Sequence, residues 1–139
     1  MTKDFKLDEF LVSKHYPDVA DKLKPTKMVR DNLLMLCLYI MQPVRDNFNR
    51  AMIITSGYRD ERLNPLVSHS SASKHMLGRA CDFVIHDRML LNSVYKYIKN
   101  TIEYSELILY IDRYNKPINI HVALPEYGDK KYSEVVSGK

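Results

Sequence analysis

No apolar run in the 139 residues approaches membrane-spanning length; the longest, LLMLCLYIM, is less than half of the roughly 20 residues a transmembrane helix needs. A secretory leader is not expected either, because MTKDFKLDEF has no apolar core behind its lysines. Cysteine is scarce. Cys37 sits in that apolar run and Cys81 beside Asp82, too few and too differently placed for a disulfide framework, so synthesis in a reducing cytoplasm is the simpler expectation. Four glycines, six prolines and the lack of repeats or low-complexity linkers argue for a single compact unit over 1–139. Charge of either sign is not in large surplus: 21 Lys+Arg against 17 Asp+Glu leave a net +4 and a pI near 9.0. The basic residues form pairs, such as Arg59 with Arg62 and Lys130 with Lys131, and no stripe, which excludes a dedicated nucleic-acid surface.

What is present is 45% hydrophobic and strongly patterned. KLDEFLVSKHY reads as a short amphipathic helix, with Leu7, Phe10 and Leu11 on one stripe. In KPTKMVRDNLLMLCLYIMQPVRDNFN the spacing of Val29, Leu33, Leu36, Cys37, Ile40 and Val44 predicts the longest helix, kinked or restarted at Pro43. AMIIT is a short strand ending at Gly57, and the polar stretch up to His75 is a long surface loop, a length that is often functional. ACDFVI is strand-like and RMLLNSVYKYIKN helical; ELILYI and INIHVAL flank the polar turn DRYNKP as a hairpin. The expected fold is therefore α+β, with N-terminal helices (1–50) packed on a small, mainly antiparallel sheet (51–125), then a loosely held polar tail (126–139).

Chemistry concentrates around SASKHMLGRACDF. His75 and Asp82 flank a turn that Gly78 makes possible, and His121 stands in the last hairpin strand. Two imidazoles and a carboxylate would hold zinc and leave a fourth position open. By spacing alone the same residues also read as scattered loop and surface side chains.

The segments SGYR, LN, SASKHMLGRACDF and IHVAL, in that order and on those elements, resemble the zinc D-alanyl-D-alanine peptidases, in particular the small bacteriophage-encoded members. The resemblance runs from about Leu7 to Val122. The pattern Ser-x-His-x-x-Gly-x-Ala-x-Asp is met by Ser73, His75, Gly78, Ala80 and Asp82. It implies one Zn2+ per chain on His75, Asp82 and His121, with Arg59 and Ser73 near the substrate, where a guanidinium and a hydroxyl suit a terminal carboxylate or a developing oxyanion. Alternatively, Arg59 pairs with Asp60 or Glu61 on the surface and Ser73 is a turn residue or cap.

One part of the family pattern is missing. Hydrolysis needs a general base, often a glutamate near the third ligand, yet Ile118 stands three residues before His121, and Tyr110 occupies the position after ELIL where related phage enzymes often carry an acid. Alternation puts Ile108, Tyr110 and Asp112 on one strand face, and pairing of Ile108 with His121 would turn that face to the zinc. Asp112 is then the favoured base, with a backbone-bonding turn residue as its other reading; Tyr110 is an alternative as donor to the oxyanion. His69 and His86 are read as loop histidines. Cys81, alternating with Asp82, should face the core.

The resemblance implies a zinc metallopeptidase, a carboxypeptidase or endopeptidase, acting on peptidoglycan stem or cross-bridge peptides. Such a protein is expected to be a monomer without nucleic-acid partner, made in a phage host's cytoplasm and acting at the cell wall after assisted release or from the virion. The other reading is a zinc-bound domain of weakened turnover that serves as a binding or virion module.

Overall fold

The computed structural model describes residues 1–128 and 130–137. Five helices, α1 (Pro17–Ala20), α2 (Lys27–Leu36), α3 (Gln42–Phe48), α4 (Asn64–Val67) and α5 (Leu91–Thr101), accompany five strands: β1 (Met52–Ser56), β2 (Ala80–Ile85), β3 (Glu106–Ile111), β4 (Pro117–Ala123) and β5 (Tyr132–Ser137). The strands form one sheet in the order β1-β2-β4-β3-β5, antiparallel except where β5 runs parallel to β3. This is the α+β architecture expected from the pattern.

Strand alternation divides the sheet into a dry face and a wet one. Cys81, Phe83, Ile85, Leu107, Leu109, Ile120 and Val122 are buried with Leu33, Leu36, Ile40 and Met41 of the long helical segment and Val94 and Ile98 of α5. Each fully buried large side chain of this set contributes about 1.5–3 kcal/mol of hydrophobic free energy. Their neighbours in sequence, Asp82, Val84, Ile108, Tyr110, Asn119 and His121, are only partly covered and lie on the opposite face. Cys81 points into the core as expected, its Sγ 3.6 Å from Met41 Sδ, and burial pushes its thiol well up.

The long helix responds to Pro43 in a specific way. Between α2 and α3, Cys37–Met41 form a π-helical turn in which the Gln42 N–H donates to the Cys37 carbonyl, one residue farther back than in an α-helix. The wider turn makes room for a ring that has no N–H to donate and would collide with the preceding turn. The helix therefore continues without being broken.

Two expectations are corrected. KLDEFLVSKHY is helical only as a 3-10 turn over Leu7–Phe10, because the chain then extends to bridge Ser13 to Ser56, and the Phe10 carbonyl accepts from the Tyr58 N–H at 2.8 Å. Much of the polar tail is not loose: Tyr132–Ser137 pair with all of β3, satisfying backbone groups that an edge strand would leave bare, while 129, 138 and 139 of the expected tail lie outside the described residues. Its polar sequence context and the lack of apolar alternation in YSEVVS hid it, since a strand bonded mainly through its backbone needs no such alternation.

Gly57 permits the close approach of the N-terminal segment. A Cβ there would overlap the Phe10 carbonyl oxygen and carbon, which are backbone atoms that cannot swing aside. Gly57→Ala should accordingly lose more than about 1 kcal/mol of stability in urea unfolding; an unchanged midpoint would show that the segment is not seated against β1.

Candidate metal centre

His121 lies on β4, the strand between β2 and β3, and the register puts it level with Asp82 on one side and Ile108 on the other. Ile108↔His121 and Tyr110↔Asn119 are the pairings expected from the hairpin. His75 arrives from outside the sheet on a 3-10 turn, Lys74–Leu77, whose first N–H groups are capped by Ser73: its Oγ accepts from the His75 N–H at 3.2 Å. The turn ends at Gly78, whose φ of 71° is left-handed and whose missing Cβ would stand 2.8 Å from the Val29 carbonyl oxygen.

The ring of His75 is aimed by the backbone. Its Nδ1 lies 2.7 Å from the Gly57 carbonyl oxygen, an atom that only accepts, so Nδ1 carries the proton and Nε2 is left to face Asp82 Oδ1 at 3.4 Å. A second bond, from the Arg59 N–H to the His75 carbonyl at 3.1 Å, ties the same two segments together. His121 Nδ1 approaches Asp82 Oδ1 from the other side at 2.8 Å. The three donor atoms lie within 4.8 Å of one another. Tetrahedral zinc with bonds of about 2.0–2.2 Å sets its ligand atoms about 3.3 Å apart. The separations of 2.8 and 3.4 Å at Asp82 bracket that value, and imidazole with carboxylate is a suitable donor set, so these residues fit the ion.

Electrostatics in the metal-free state follow from the same contacts. Burial would raise the Asp82 pKa, but the charges and hydrogen bonds of His75 and His121 hold it well below the usual carboxylate range. Burial also disfavours a charged His121, yet hydrogen bonds to Asp82 and Glu106 outweigh it and raise the ring to about 9. Arg59 completes the set: Nε and Nη2 donate to Ser56 Oγ at 3.3 and 3.2 Å, and Nη2 stands 3.8 Å from Asp82 Oδ2.

A cleft of about 240 Å3 gathers Arg59, Ser73, His75, Asp82, Ile108, Tyr110 and His121. Arg59 is largely enclosed, and the surface pair imagined for it is formed instead by Arg62, whose Nη2 lies 3.0 Å from Asp60 Oδ2. Ser73 both caps its turn and lines the cleft.

Asp112 is not brought in, which corrects the expectation that it serves as base. A bulge after Tyr110 displaces it to the tip of the hairpin, where Oδ1 accepts from the N–H groups of Tyr114 and Lys116 at 2.8 and 3.0 Å and Oδ2 lies 3.7 Å from Arg88. His69 and His86 are exposed and outside the cleft lining. The acid that sequence reading missed is Glu106, whose Oε1 is 2.8 Å from His121 Nε2. Alternation offered the signal, since residues 106, 108 and 110 share one face of β3.

A sheet with one face open, on which two imidazoles, a carboxylate, a guanidinium and a phenol converge, defines a metallohydrolase class of site. The chain matches the family model described as Peptidase M15 over residues 3–123 and belongs to that family of zinc-dependent metallopeptidases. No curated protein matches the chain. Among the described residues no helix is long and apolar enough to cross a membrane.

Proton linkage to metal binding follows from His121. With its pKa lifted to about 9, the ring is protonated at neutral pH in the metal-free protein, whereas a ligand nitrogen must be bare. Zinc binding near pH 7 should therefore release a proton, and affinity should rise with pH until about 9 and fall on acidification. Calorimetry in buffers of different ionisation enthalpy measures the release; none in the wild type, or the same release from His121→Ala, would contradict the assignment.

Proposed function

We propose that the chain is a zinc peptidase that hydrolyses D-alanine-containing peptide bonds of bacterial peptidoglycan, phage-encoded and used at the host wall. The observation that carries this reading is the convergence of Arg59 and Tyr110 with the His75, Asp82, His121 triad on an open sheet face in a Peptidase M15 chain. The cleft, at about 240 Å3, is below the roughly 300–1,000 Å3 of typical small-molecule sites, which suits small side chains beside the scissile bond.

Zinc, when held there, supplies the Lewis acidity that polarises a scissile carbonyl and makes water a competent nucleophile. The chain's own residues do the rest. Arg59, held by Ser56, presents a fixed positive charge to a peptide carboxylate or to the developing oxyanion. Burial, with Asp82 next, raises the Tyr110 pKa, so its hydroxyl keeps its proton and acts as a donor to that oxygen. A second hollow of about 290 Å3 shares Arg59, Val67 and Asp82 with the first and continues towards Ser13–His15. The open surface thus continues beyond the triad past Asp82, leaving room for a longer substrate chain and favouring cleavage of an internal bond.

The binding or virion module of weakened turnover remains the second reading for one specific reason. Asp82 is the only acid among the described residues lining the cleft, and Glu106 is engaged with His121.

Incubation of zinc-loaded protein with purified peptidoglycan and with a D-Ala-D-Ala peptide, followed by product masses, separates the two. Fragments ending at D-alanine are expected. Asp112→Asn should digest as fast as the wild type, and Arg59→Ala should lose about 10²–10³-fold in turnover, the usual effect of removing one oxyanion donor. Zinc-bound protein that yields no product from either substrate would sink the peptidase reading.

A further inference from the structure

The two histidines of the triad are held by unlike partners. His75 is aimed by a backbone carbonyl, which no substitution of a side chain can remove. His121 is aimed by a side chain: its Nε2–H donates to Glu106 Oε1 at 2.8 Å, on the ring edge opposite the Nδ1 that faces Asp82. Glu106 opens β3 and pairs with Ala123, two residues beyond His121 on β4, so the carboxylate crosses the sheet face diagonally to reach the ring. The preceding residue, Ser105, is anchored twice, with Oγ donating to the Leu124 carbonyl at 2.7 Å and accepting from Lys74 Nζ at 3.1 Å. Lys74 directly precedes His75. The start of β3 is thereby tied to the turn that carries the first imidazole, and the ladder to β4 ties it to the strand that carries the second.

We infer that Glu106 is a positioning residue for the metal centre: it fixes the orientation and tautomer of His121 so that Nδ1 is presented to the ion with Asp82 and His75 Nε2. A free imidazole can flip its ring and exchange its proton between nitrogens. An anionic acceptor on Nε2 removes both freedoms and makes Nδ1 a stronger donor, and such carboxylate partners typically account for about 10–100-fold in metal affinity. Service as a general base is a different role and conflicts with this contact, since a carboxylate that swung towards the substrate would leave the enclosed Nε2–H without its acceptor. The inference rests on the metal-site assignment and is independent of whether the chain cleaves peptidoglycan.

Zinc affinity at pH 7, measured by competition with a chromogenic chelator, tests it without any substrate. Glu106→Ala should bind zinc about 10–100-fold more weakly than the wild type. Glu106→Gln, whose amide oxygen still accepts from Nε2–H, should recover most of that loss. Equal affinities in all three proteins, or Glu106→Gln as weak as Glu106→Ala, would overturn the role. The wild type alone gives an independent reading: long-range 15N spectra of the zinc-loaded protein should show His121 protonated at Nε2 and His75 at Nδ1. The opposite tautomer at His121 would overturn the inference whatever the variants do. Zinc binding as inferred, with no hydrolysis of wall peptides, would leave Glu106 in place and refute only the peptidase reading.

Discussion

The carboxylate of Asp82 is the constraint around which the structure is organised. It stands on a sheet face, largely enclosed, in a place where an unpaired charge would be costly, and the three side chains that pair with it, Arg59, His75 and His121, are cationic or able to become so. Oδ1 is shared by the two imidazoles and Oδ2 faces Arg59, so the residue links the imidazole pair, which could hold a metal ion with it, to the guanidinium. The hydrogen bond from His121, whose pKa it raises to about 9, compensates the charge.

That carboxylate can exist where it does because the sheet is covered on one side only. Helices α2, α3 and α5 and the π turn between α2 and α3 seal the apolar face, while the opposite face is bordered by the 60–75 loop and the extended N-terminal segment. Close approach of the backbone at Gly57 and Gly78 brings both of these walls in. The site is thus assembled from five separate stretches of chain, with the strands that carry Asp82 and Tyr110 on either side of the one that carries His121, and bonds such as Gly57 O to His75 Nδ1 and Arg59 N to His75 O tie it together.

Local pattern was sufficient wherever one side chain's neighbours are set by period alone. Alternation in ACDFVI put Cys81 inward and Asp82 outward, and the helical spacing from Val29 to Val44 gave the long helix, whereas the pairing of Ile108 with His121 was one register among those the hairpin allowed until the ladder showed it. Spacing alone left the histidines and aspartate open to a reading as scattered side chains, and it was the family resemblance of the Ser-x-His-x-x-Gly-x-Ala-x-Asp pattern that named the triad. Period did not foresee the end of the first helix at Phe10, where a long-range bond to Tyr58 competes with helix continuation. Nor did it foresee β5, which pairs through its backbone and whose apolar side chains do not alternate.

The acidic residues mark the boundary most clearly. Asp112 and Glu106 both border the strand that faces His121, and residue type makes either a candidate for the site. A one-residue bulge after Tyr110 turns Asp112 away into backbone hydrogen bonds, and a diagonal across two strands carries Glu106 onto the ring. By itself the sequence determined the α+β class and the buried face, because these depend on a period of 2 or 3.6 residues, and it pointed to the three candidate ligands through a motif that resembles a known family. Only the tertiary structure decided which carboxylate meets the imidazole, because that choice turns on strand register, bulges and side-chain reach, and these are settled by contacts between residues distant in the chain.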